Sequence, residues 1–145
     1  MQERPGYKGR PFNIIKFKTM NERKDSNGNM LPDIQRITKF GAFVRNTSID
    51  ELPQLINVFV GNMSLIGNRP YLPREKEDMG DSFYEIVKSK PGITGYWQVS
   101  GKENSTFEKR LELEKYYSNH MSLGVDIKIF FGTFKAVFCG HGADE

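Results

Sequence analysis

Two adjacent carboxylates, Asp50 and Glu51, lie within the stretch Arg45-Asn46-Thr47-Ser48-Ile49-Asp50-Glu51-Leu52-Pro53-Gln54. Further along comes a tight Gly67-Asn68-Arg69-Pro70 turn. A carboxylate at an exposed loop-to-helix edge, with cations nearby, can serve as acid, base or nucleophile. The same residues have a structural reading. Ser48 and Glu51 match a Ser-x-x-Glu capping box, and Asp50 suits the first turn of a helix, where the backbone dipole favours negative charge. Local pattern alone leans toward the cap. The two readings are compatible, because one carboxylate can cap while the other acts.

The elements around this pair must set its geometry. Ile49, Leu52, Leu55, Ile56 and Phe59 recur at helical spacing and predict a buried helix ending at Gly61. Pro53 is tolerated only in a first turn, so that helix begins between Ser48 and Asp50. Ile34 to Arg45 reads as a short helix or turn, with Ile37, Phe40 and Val44 on one face. Phe12 to Met20 reads as a strand carrying Lys16 and Lys18. Residues 1–12 read as a loop in which Arg4, Lys8 and Arg10 are interleaved with glycines and prolines. Such a loop is either a solvated turn or an anion cradle.

Residues 21–33 form a polar surface loop whose acidic spacing does not fit a calcium loop. Residues 74–89 read as a solvated amphipathic helix bearing Phe83, Ile86 and Val87. The glycine-rich stretch Lys90 to Gly101 reads as a structured loop feeding a short strand near Gly95 to Val99, with Trp97 as core. Thr106 to Tyr117 is helical, its apolar stripe running through Phe107, Leu111, Leu113 or Glu114, and Tyr117. Val125 to Phe138 carries Ile127, Phe130, Phe131, Phe134, Val137 and Phe138 on a wide apolar face, with Lys128 and Lys135 opposite. It fits either a helix lying in a membrane interface or a terminal core helix.

Composition narrows the function classes. The chain has 145 residues, 37% hydrophobic and 27% charged, which fits one folded domain over residues 1–145. A net charge of +3 suits phosphate ligands or an anionic membrane surface. Basic residues are dispersed among acids rather than striped, which argues against a nucleic-acid partner. One cysteine, Cys139, excludes an internal disulfide and reads as an inert apolar residue. His120 stands alone and reads as no metal ligand, and His141 reads as solvated. No apolar run approaches the roughly 20 residues that span a bilayer, and the N-terminus carries no signal peptide.

Several segments together resemble one family, the bacterial sugar transferases that act as monotopic polyprenyl-phosphate phosphoglycosyltransferases. The matching runs are Gln2 to Phe12, Lys16 to Met20, Thr47 to Val58, Gly61 to Pro70, Lys90 to Gly101, and Tyr116 through Asp126. The resemblance covers essentially the whole chain. It implies transfer of a sugar-1-phosphate from a nucleotide-sugar donor, usually a UDP-sugar, to undecaprenyl phosphate, initiating a surface glycan. It implies a ping-pong mechanism with Asp50 as nucleophile and Glu51 as its dyad partner. Lys16, Arg45, Arg69 and Asp126 then match the family's other polar site positions, and Mg²⁺ is implied, held at Asp50 and Glu51.

The implied fold is a helix-rich α+β domain with an amphipathic interface helix near its C-terminus, at the cytoplasmic face of the inner membrane. A homodimer is compatible with this. The family's N-terminal re-entrant helix has no counterpart in the sequence, so the expectation is a catalytic domain lacking its main anchor. The usual Pro-Arg-Pro turn is here Asn68-Arg69-Pro70, which predicts a looser turn, and Lys18 stands where the family favours arginine. These departures leave a catalytically impaired binding or scaffold descendant as the alternative. Sugar recognition is expected from the 90–105 loop.

Overall fold

The structure, a computed structural model, describes residues 1–100 and 106–138. Cys139, His141 and the distal part of the 90–105 loop lie outside the described residues. The chain opens on an antiparallel hairpin of β1 (Gln2–Pro5) and β2 (Pro11–Ile14), with Arg4 opposite Phe12. The connector is a 3-10 turn at Tyr7–Gly9, in which Lys8 has φ 55° and Gly9 φ 75°. The glycines of the expected loop are therefore the hairpin's turn, and the flanking residues pair rather than stay irregular.

β2 is shorter than the strand expected from Phe12 to Met20. It ends at Ile14 because the next amide leaves the ladder: the Ile15 N–H donates to Asn57 Oδ1 at 3.1 Å.

The stretch expected as one helix or turn from Ile34 to Arg45 divides into α1 (Asp33–Arg36) and α2 (Lys39–Asn46). Thr38 causes the break. It adopts extended backbone geometry and its side chain accepts from the Gly41 N–H, making it the cap of α2. Val44 is buried as its spacing predicts, but Phe40 is exposed.

A 3-10 turn at Ile49–Glu51 precedes α3 (Gln54–Phe59). The single buried helix expected here is corrected in two ways. Its first turn is 3-10 and Pro53 separates it from α3. The face is also reversed: Gln54 and Asn57 are buried, whereas Leu52, Leu55, Ile56 and Phe59 are exposed.

β3 (Ser64–Ile66) pairs in parallel with β4 (Gly92–Thr94). The two backbones meet at glycines: a Cβ on Gly92 would lie 2.0 Å from the Gly67 nitrogen. Between these strands, α4 (Lys76–Met79) and α5 (Ser82–Ile86) replace the expected solvated helix. Gly80, at φ 55°, divides them, and Met79, Phe83 and Ile86 are buried with Tyr71 and Leu111 in a hydrophobic cluster. After β4 the chain enters α6 (Tyr96–Val99), so the strand expected at Gly95 to Val99 lies earlier and Tyr96 to Val99 are helical. Trp97 is buried, as expected of a core tryptophan.

α7 (Phe107–Asn119) and α8 (Leu123–Phe138) complete the α+β fold. A second buried cluster of Phe12, Ile14 and Met63 packs beneath the hairpin. Along α8 only Ile129 is fully buried, while Phe130, Phe131, Phe134 and Phe138 remain exposed. Among the described residues no helix is long and apolar enough to cross a membrane.

Candidate active site

The 3-10 turn carries the two carboxylates. Ser48, which should cap it, has φ 56° and ψ 19°, in the left-handed region, and makes no capping hydrogen bond. A capping side chain needs extended backbone at its own position, so the capping box does not form. Glu51 is thereby released to the other side. Its Oε1 accepts from Arg69 Nη2 at 3.0 Å and lies 3.6 Å from Lys16 Nζ. All three side chains are mostly withdrawn from solvent, where charge-assisted contacts are stronger than on an open surface.

Asp50 is buried, and its backbone carbonyl accepts from the Phe17 N–H at 3.2 Å. That bond ties the turn to the segment after β2, which delivers Lys16. Asn57 ties the same segment to α3. Its Oδ1 accepts from Ile15 and its Nδ2 donates to the Asn13 carbonyl at 2.8 Å.

Lys16, Glu51 and Arg69 line an open cleft of about 100 Å³, together with Arg4, Glu75 and Arg110. Four cations face two carboxylates there, so the cleft is suited to a multiply charged anion. A second, larger groove of about 360 Å³ runs between the 3-10 turn, β3, β4 and α8. Leu52, Leu55, Ile66, Phe130, Phe134 and Val137 make it mainly apolar. Glu51 and Ile93 belong to both linings, so the polar cleft and the apolar groove adjoin at the carboxylate turn.

The structure thus brings together Lys16, Glu51 and Arg69, with Asp50 beside them in the turn. Asp50 itself, like Arg45 and Asp126, is not among the residues that line this cleft. Arg45 Nε donates to Thr19 Oγ1 at 2.9 Å, bracing the connection that packs across α2 at Gly41. Asp126, in the first turn of α8, accepts from the Tyr117 hydroxyl at 2.8 Å. Burial and that carboxylate both hold the Tyr117 phenol above its usual range.

Sequence reasoning assigned no site role to Gln54, Asn57, Arg110 or Glu114. The ambiguous stripe of α7 resolves to Glu114, which is fully buried. It accepts from the Tyr71 hydroxyl and from the Arg69 backbone N–H, the latter at 3.2 Å. Burial raises its carboxyl above the ordinary range, and the Arg110 charge partly offsets this. Tyr71 is likewise pushed up, by burial first and then by Glu114. The Arg110–Glu114 spacing of i, i+4 was visible in sequence, but that signal ordinarily marks a solvated helix pair.

Asn68 corrects the expectation of a loosened arginine turn. Its buried side-chain amide donates to Ser118 Oγ at 2.6 Å and to the Ile86 carbonyl at 3.4 Å. The turn is held by an amide where the family pattern uses a ring.

Comparison with known proteins matches residues 1–140 to the family described as bacterial sugar transferase. The chain belongs to that family. It is 43% identical to an uncharacterized sugar transferase EpsL of Bacillus subtilis, over 99% of this chain and 71% of the relative. It is 44% identical to a galactosyl transferase CpsE of Streptococcus agalactiae, over 98% of this chain and 35% of the relative. It is 37% identical to the UDP-glucose:undecaprenyl-phosphate glucose-1-phosphate transferase of Escherichia coli, over 98% of this chain and 33% of that protein. The chain therefore spans only about a third of the length of some relatives it matches.

The donor set also bears on a metal. Among the described residues no group of three or more His, Cys, Asp or Glu side chains could hold an ion. Mg²⁺ needs less from the protein, since one or two carboxylates suffice when substrate phosphates and water complete its octahedron. Asp50 and Glu51 fit that requirement in number and in ligand type.

Proposed function

We propose that this sugar transferase moves a sugar-1-phosphate from a UDP-sugar to undecaprenyl phosphate at the cytoplasmic face of the inner membrane, through a phosphosugar-aspartate at Asp50. The observation that carries the reading is the junction of a cationic cleft with an apolar groove at Glu51. A diphosphate donor needs the first and a polyprenyl acceptor needs the second. Relatives named for undecaprenyl-phosphate galactose and glucose-1-phosphate transfer support the same substrate classes.

In the first step a carboxylate oxygen of Asp50 attacks the sugar-bearing phosphorus. The bond from that phosphorus to the bridging oxygen breaks, and UMP leaves with the electron pair. Lys16 and Arg69 offset the negative charge that gathers on the phosphoryl oxygens. Glu51 pairs with both of these cations and holds them in the cleft. In the second step a phosphate oxygen of the lipid attacks the same phosphorus and releases Asp50. Mg²⁺, held by Asp50 and Glu51, would supply further neutralisation of the diphosphate.

The test is intact-mass measurement after incubation with a panel of UDP-sugars and Mg²⁺, followed by peptide mapping. A phosphosugar adduct on Asp50 that is absent in Asp50→Asn is expected. An adduct on Glu51 would exchange the two roles. Its absence from a folded protein across the whole panel would favour the non-catalytic scaffold.

A further inference from the structure

Beneath the cleft lies a buried group that none of the steps above uses. Glu114 projects from α7 and is 2% exposed. Its Oε1 accepts from the backbone N–H of Arg69 at 3.2 Å and lies 3.9 Å from Nε of Arg110. Its Oε2 takes the Tyr71 hydroxyl. One oxygen therefore faces two of the cleft's arginines.

A buried carboxylate is costly unless its partners are well placed. A purely packing role at this depth would be served by an apolar residue. Arg110 lies close to two aromatic rings. Its guanidinium carbon lies 4.3 Å from the Tyr71 ring centroid and 4.6 Å from that of Trp97. With two rings within cation–π reach, a planar guanidinium gains contacts that a lysine ammonium does not reproduce. Arg110 and Arg69 both line the polar cleft.

We propose that Glu114 is a positioning residue for the cleft, setting Arg69 through its backbone and Arg110 through its charge, and that Arg110 is a further phosphate-binding residue for the donor. This rests on the donor reading above. Arg69 would meet the anion from the Glu51 side and Arg110 from the α7 side. Planar guanidinium groups suit paired phosphate oxygens better than a flexible point charge does.

Two variants separate the parts. In Glu114→Gln the amide oxygen can still accept from the Arg69 N–H, while the charge facing Arg110 is lost and the Tyr71 hydroxyl must turn its proton away from the new amide nitrogen. In Arg110→Lys the charge stays and the planar group goes. Calorimetric binding of UDP and of inorganic pyrophosphate is measured on each variant of the full chain, alongside the thermal midpoint and the kcat and KM of UMP release.

Arg110→Lys should weaken both ligands by about tenfold and raise donor KM more than it lowers kcat. Glu114→Gln should move KM in the same direction by a smaller factor. Unchanged affinity for both ligands in folded Arg110→Lys would overturn the proposal. Loss of UDP binding with pyrophosphate unaffected would also overturn it, because Arg110 would then read the nucleoside. If the wild-type chain binds pyrophosphate but not UDP, and Arg110→Lys weakens that binding, the donor reading fails while the phosphate role of Arg110 stands.

Discussion

Asn68 precedes the arginine that meets Glu51, and its side chain reaches two elements at once. The amide nitrogen bonds Ser118 on α7 and the Ile86 carbonyl at the end of α5. The Asn68 backbone carbonyl accepts from the Gly92 N–H at 2.9 Å, linking the turn to β4. Asn68→Ala keeps the backbone bond and removes the two side-chain bonds from a buried position. A loss of about 1–2 kcal/mol is expected, read from urea unfolding, with UMP release falling because the Arg69 turn is freed. Equal stability in the variant would show that the amide is dispensable. A single residue of this kind is hard to read in sequence. Asn-Arg-Pro looks like an ordinary turn, and only tertiary partners reveal that the asparagine is buried. Glu51 was half legible for the same reason. Its proximity to cations was readable, but the left-handed Ser48 that denies it a capping role was not.

At the scale of elements, α3 shows why periodicity found a helix and assigned it the wrong face. The apolar repeat of Leu52, Leu55, Ile56 and Phe59 correctly marks helical spacing. Burial goes instead to Gln54 and Asn57, because Asn57 must complete the hydrogen bonding of β2 where the ladder stops. The bond counterparts lie more than forty residues earlier in the chain, beyond any local pattern. Asn57→Ala would leave the Ile15 N–H and the Asn13 carbonyl without that partner. A cost of about 2–4 kcal/mol follows from two such groups, measurable as a lower denaturation midpoint. Donor turnover should fall further than stability alone explains, since the same segment delivers Lys16 to Glu51. An Asn57→Ala protein with wild-type unfolding would refute the tether. The glycine contact between β3 and β4 is equally strict. A Cβ at Gly92 would approach the Gly67 nitrogen to 2.0 Å, so Gly92→Ala should force the strands apart and cost roughly 1–3 kcal/mol or more.

At the scale of the whole molecule, the reversed face of α3 and the phenylalanines of α8 flank the same groove. The α+β class and the apolar character of residues 125–138 were legible because they rest on long patterns. The groove was not, because it forms only when α3 turns its apolar side outward toward α8. Phe59 is 91% exposed, Phe131 66% and Phe138 82%. A soluble fold normally hides such side chains unless a surface is meant to meet them. On the membrane reading proposed above, a lipid interface would meet both faces, and Lys128 and Lys135 on α8 would add attraction to anionic headgroups. Full burial of one phenylalanine is worth about 1.5–3 kcal/mol, and each 1.4 kcal/mol is about tenfold in partitioning. Replacing Phe131 and Phe138 by serine should therefore lower co-sedimentation with phosphatidylglycerol-containing vesicles by at least about thirtyfold, allowing for partial insertion. The unfolding midpoint without vesicles should hold, because neither side chain supports the core. Undiminished co-sedimentation of the folded double variant would remove α8 from the interface and leave the groove's apolar lining to be explained by another partner.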